Sequence, residues 1–138
     1  MVLDKKFLDE LCAKAKQSPR LRMHCDMRTN PEEQSQRMLN ALQIGTQIPV
    51  HRHPDTAETV VMLRGSVLEI FYDEAGNPEG SFLLKAGSDC CALQIPAGQW
   101  HSLVCLESDS VLFEAKGVPF QPRCPEDERP EIEVKTDM

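Results

Sequence analysis

Leu3, Phe7, Leu8, Leu11 and Ala15 recur at helical spacing with polar residues between them, which predicts an amphipathic helix over residues 3–17, ended before Pro19. Asn30-Pro31-Glu32-Glu33 reads as an N-cap, a proline at the first helical position and an early glutamate. It predicts a short second helix toward Met38 or Leu39, with a strand beginning near Asn40. From Ile44 the period changes. Short segments rich in Val, Ile, Leu and Phe are cut by Arg64-Gly65, residues 73–77, Ala86-Gly87 and residues 107–109, a pattern of short strands and tight turns that suggests a sandwich or barrel. The tail carries Pro119, Pro122, Pro125 and Pro130 among acids and is expected to be extended. The chain divides into a helical extension (1–35), a β-barrel (36–122) and an acidic, proline-containing tail (123–138).

Within the β region, His51 and His53 are two residues apart, so on a strand both imidazoles point to one face while Arg52 points away. The chain turns through Pro54-Asp55-Thr56-Ala57 and re-enters a strand at Glu58, and His101 opens the apolar run SLVCL after a Pro-Ala-Gly turn. Three of the four histidines fall in these two segments. Imidazole and carboxylate ligate first-row divalent metals, so His51, His53, Glu58 and His101 are the candidate metal ligands. Alternation puts Gln47, Pro49, Val60, Met62, Leu103 and Cys105 on the same inner face. It leaves Ile48, Val50, Val61, Leu63 and Val104 on an outer face too apolar for solvent. Either the N-terminal helix or a second subunit covers that face, and a homodimer packed through sheet faces or exchanged N-terminal segments is expected.

Gly45, His51, His53, Glu58 and Gly65, at their spacings, match the first motif of the cupin superfamily without a gap. Gly87, Pro96, Gly98 and His101 are similar to the second motif with a longer spacing, and Cys105 stands where an asparagine is common. More narrowly, RMLNAL, HRH and LFEAKG resemble the WbuC family of cupin-fold metalloproteins, often found beside genes for surface polysaccharide. The resemblance covers roughly residues 36–122. It implies a mainly β chain, a cupin double-stranded β-helix (small jelly-roll barrel) with an N-terminal helical extension, whose ligands sit on one side of the ion with the open side toward the barrel mouth. Arg37, Arg64, Glu114 and Lys116 lie in segments that resemble the narrower family's shared patterns. A cation among them is a candidate to hold a carboxylate or sugar phosphate, with Gln47, Tyr72 and Cys105 as further candidate contacts.

The net charge of −7 argues against nucleic acid as a partner, and no apolar run is long enough to span a membrane. Residues 1–23 hold six basic groups against three acidic, whereas residues 126–138 hold six acidic against two basic. Lys5, Lys6, Asp9 and Glu10 interrupt any apolar signal-peptide core, so a cytoplasmic location is expected. The six cysteines show no CxxC spacing and are expected to remain thiols; adjacent Cys90 and Cys91 read as packing residues and His24 as an ordinary surface histidine.

Two coordination outcomes stay open. Four protein ligands would fill a tetrahedral zinc, whereas six-coordinate iron, manganese, nickel or cobalt keeps two positions for water, dioxygen or substrate. Three functional classes follow: a metalloenzyme such as an oxygenase or isomerase acting on a small organic acid or sugar, a non-catalytic metal-dependent saccharide or metabolite binding module, and a structural metal domain. No separate general base, nucleophile or nucleotide-binding loop is visible.

Overall fold

The computed structural model describes residues 1–119 and 121–135. Helix α1 (Lys5–Gln17) starts where the Asp4 carboxylate accepts from the Phe7 backbone N–H at 3.0 Å, and it stops at Ser18, before Pro19. Its buried face, Leu11, Cys12 and Ala15, packs on Leu39, Ala41 and Val111.

The strands are β1 (Arg22–Asp26), β2 (Gln36–Leu42), β3 (Val50–His51), β4 (Glu58–Arg64), β5 (Ser66–Tyr72), β6 (Pro78–Lys85), β7 (Ala92–Ile95), β8 (Trp100–Cys105), β9 (Ser110–Lys116) and β10 (Glu128–Arg129). They form two antiparallel five-stranded sheets, ordered β1-β2-β9-β4-β7 and β10-β3-β8-β5-β6. Leu42, Val60, Met62, Val67, Leu84, Ile95, Cys105 and Leu112 fill the space between them. The β4–β5 turn depends on Gly65, whose φ is +74°; a Cβ there would lie 2.9 Å from the Ser110 Cα.

Part of each outer face is covered by this chain itself, while Leu63 of β4 stays exposed. Helix α1 lies on β1, β2 and β9, while Ile132 and Val134 of the tail pack on Val50, Ile70, Tyr72 and Trp100 of the second sheet. Arg52 and Arg129 stand over the Trp100 ring, 4.6 and 5.4 Å from its centroid.

Three sequence expectations are corrected. No helix follows Asn30: its side chain accepts from Glu32 N–H, Glu33 accepts from Thr29, and the resulting turn leads into β2 at Gln36, four residues before the expected strand. The alternation drawn back from His51 fails before Val50, because residues 46–49 are not strand. Gln47 is exposed, and Ile48 packs against the inner core. The tail contains a 3-10 turn (Pro125–Asp127) followed by β10, which pairs with β3. The sheets therefore draw β1 from the N-terminal extension and β10 from the acidic tail. Phe120 and residues 136–138, which fall within the barrel and tail assignments, lie outside the described residues. Among the described residues, no ion pair joins the basic first 23 residues to the acidic tail, and no helix is long and apolar enough to cross a membrane.

Candidate metal centre

His51 ends β3 and sits directly opposite His101, the second residue of β8. His53 follows two residues beyond His51, and Glu58 opens β4 in the other sheet, where it pairs with Lys116 and Ile95. The four side chains thus meet at one end of the sandwich, where both sheets contribute. Ligating nitrogens of the three histidines all lie within 4.8 Å of one another. Two ligands on opposite sides of one ion would be about 4.2 Å apart, so small side-chain rotations bring all three onto a common centre.

The hydrogen bonds orient the rings. His51 Nδ1 lies 2.8 Å from the Pro49 carbonyl and His101 Nδ1 lies 2.9 Å from the Gln99 carbonyl. A carbonyl only accepts, so Nδ1 carries the proton in both rings and the Nε2 lone pair is left for the centre. Burial, reinforced for His51 by the charge on His101, pushes the pKa of both rings below the ordinary histidine value, so they are neutral and able to ligate. The Glu58 Oε2 atom is buried and lies 2.8 Å from His53 Nε2 and 3.8 Å from His101 Nε2, and apart from the His53 contact no hydrogen-bond donor meets it. A buried carboxylate oxygen that faces only imidazole nitrogens suits a shared cation.

Carboxylates surround this centre. Burial opposes ionisation of Glu58, but His53 and the Lys116 ammonium outweigh it and hold its carboxyl well below the usual range. Its neighbour Glu114 is pushed up by burial and by the Glu58 charge, so the pair keeps one proton and Glu114 carries it. Asn40 donates to Glu114, whose other oxygen lies 3.3 Å from Lys116 Nζ. Glu69 is fully buried, with one oxygen unpartnered; burial and then the Glu58 and Glu114 charges raise its pKa well above normal.

The histidines open into a cavity of about 780 Å³, a size that accepts a small metabolite. Its walls include Asn40, Glu58, Glu69, Glu114 and Lys116, and Gln121, with Arg123 and Glu128 of the tail, also lines it. Of the candidate substrate residues, Lys116 lines this cavity and the others do not. Arg37 is bound to Glu33, Arg64 to Asp9 on α1, and Gln47 is exposed. Tyr72 is buried on the outer face of the second sheet, and Cys105 lies in the inner core, its thiol pKa raised by burial.

Several cavity residues escaped the sequence reading: Glu69, Arg22 and Arg123. Glu69 had a local signal, a glutamate in the middle of the apolar run SVLEIFY. The arginines had none, because long-range packing brings them to the cavity.

The family described as a domain of unknown function (DUF6016) matches residues 3–84. No curated protein matches the chain. Among solved structures, KdgF from Halomonas sp. has a TM-score of 0.58 at 17% identity, covering 75% of this chain and 84% of that one. Oxalate oxidase in complex with the substrate analogue glycolate has a TM-score of 0.61 at 18% identity, covering 76% and 55%. A mutant of Bacillus subtilis oxalate decarboxylase has a TM-score of 0.56 at 22% identity, covering 71% and 25%. This chain spans most of the first protein, about half of the second and a quarter of the third. The likeness shows that this chain, too, has the cupin fold.

Proposed function

We propose, for a chain that belongs to the DUF6016 family, that it is a single-domain metal-binding cupin. In this reading His51, His53, Glu58 and His101 hold one divalent first-row transition ion, and the cavity beside it binds or transforms a small polar metabolite, an organic acid or sugar derivative. The observation that carries the reading is the convergence of three imidazoles, two with Nδ1 tied to backbone carbonyls, beside a buried carboxylate oxygen. A bound ion would act there as a Lewis acid toward a ligand oxygen. The chain's own residues set the surroundings: Glu58 carries the charge, Glu114 holds a proton beside it, and Lys116 balances the pair.

The likeness to the WbuC family, and with it a connection to surface polysaccharide, belongs to the same reading. Its support is that RMLNAL and LFEAKG pair with each other as β2 and β9, and that alternate residues of both, Met38, Asn40, Leu42, Leu112, Glu114 and Lys116, line the cavity. A cytoplasmic location accords with six unpaired thiols. The homodimer takes a changed form. With much of both outer faces covered, a second copy would add at the edge strand β6, where Phe82 and Leu83 are exposed, rather than through sheet faces or exchanged N-terminal segments.

Metal analysis of protein purified without chelator is the direct test. About one ion per chain is expected, with His51→Ala and His101→Ala each losing most of it; unchanged stoichiometry in both variants overturns the assignment. Oxygen uptake with candidate acids separates an oxygenase from a binding module.

A further inference from the structure

Arg22 differs from the other partly buried arginines. Arg28, Arg37, Arg52, Arg64 and Arg129 each pair with a carboxylate, whereas Arg22 pairs with none among the described residues. It sits on β1 opposite Leu42, a residue of the inner core, and its side chain lines the cavity. Its Nη1 donates to the Gln47 carbonyl at 2.7 Å, and no other protein acceptor meets its remaining donors among the described residues. Arg123, in the tail, gives Nε to Glu128 at 2.8 Å and also lines the cavity. The two guanidinium groups line the same cavity as His51; burial, then the charges of Arg20 and Arg123, disfavour the Arg22 charge. Two cations that line one cavity with His51, one of them without a carboxylate partner among the described residues, suit an anion entering that cavity.

We propose that Arg22 and Arg123 form an anion-binding subsite, so that the ligand of this cavity is a small dianion. One oxyanion lies toward the histidine and Glu58 centre, and a carboxylate or phosphate-type group at the other end is held in the guanidinium forks. The first contact rests on the metal reading above; the second does not. Lys116 is not a competitor for this role, because the Glu58 carboxylate, 3.9 Å away, already balances its charge. The forked donors of arginine suit both carboxylate and phosphate-type oxygens, and the test distinguishes them.

The test is calorimetric titration of the cobalt(II)-loaded full chain with butyrate, succinate and 3-phosphonopropionate. At least one of the two dianions should bind tenfold or more tightly than butyrate, consistent with charge-assisted hydrogen bonds; the tighter one identifies the second group. Arg22→Gln and Arg123→Gln should each remove that preference at unchanged cobalt stoichiometry, while Arg22→Lys restores part of it. Arg123 is in the tail, so its variant tests the subsite even if Arg22→Gln perturbs β1. Equal binding of all three ligands by the wild type, or a dianion preference that survives both glutamine variants, overturns the proposal. Titrating inorganic phosphate into metal-free protein separates the two readings. Phosphate binding that depends on Arg22, in a chain that takes up no cobalt, would sink the metal reading and keep the subsite. Cobalt uptake without any Arg22-dependent preference would do the reverse.

Discussion

Buried ionisable residues inside the barrel make metal-free stability depend on pH in two opposing ways. His51 and His101 have folded pKa values below the ordinary 6.5, so their contribution is complete above 6.5 and is lost as the pH falls through the depressed values. Glu69 behaves oppositely. Its folded pKa lies well above normal, so the unfolded chain releases a proton that the folded chain keeps, and stability declines as pH rises above about 4.5. Glu69→Gln in the metal-free protein should therefore raise the melting temperature by several degrees at pH 7 to 8, and the gain should vanish near pH 4, where both forms are neutral. A loss of stability at pH 8 would mean that the carboxylate has a partner there. Gly65→Ala combines a left-handed φ with a Cβ driven into Ser110, and a cost of about 2–4 kcal/mol in chemical denaturation is expected. A cost below 0.5 kcal/mol would show that the turn relaxes freely.

At the scale of elements, α1 is a cover. Its stripe was legible in the sequence because helical periodicity is a local signal, and its place on β1, β2 and β9 explains one of the two apolar sheet faces. Leu11→Ala should cost about 2–4 kcal/mol, since the side chain is buried against Leu39 and Val111. Removing residues 1–17 should expose that patch and lower both solubility and melting temperature; an unchanged melting temperature would make the helix an ornament of the fold. The second cover was illegible. The tail reads as acidic and proline-rich, yet Ile132 and Val134, two apolar residues spaced for a strand, close over Val50 and Trp100. The expected helix after Asn30 shows the opposite error, because good capping residues served a turn once β2 claimed Gln36 for pairing with β9.

For the molecule as a whole, the candidate metal ligands were legible because two of them lie two residues apart at and just beyond the end of β3, and the other two sit near strand starts marked by turns. The cavity wall was not. Alternation gives the face of a residue but not which strand lies across from it, so Arg37 and Arg64, plausible by motif, point away, while Arg22 enters through the pairing of β1 with β2. The same limit applies to assembly. Much of the apolar outer surface that suggested a homodimer is covered within the chain, and exposed apolar side chains remain at Leu63 on β4 and at Phe82 and Leu83 on β6. Light scattering should give a dimer mass that Leu83→Lys reduces to a monomer; a dimer unaffected by that change would place the contact elsewhere.

Trp100 is the chain's single tryptophan, packed against the tail with two guanidinium groups near its ring, and the next residue along β8 is His101 on the opposite face. Its indole emission is therefore an optical reporter supplied by the native sequence. Lift the tail, or bind an ion on the other side of the strand, and the spectrum of one fluorophore registers the event without any label.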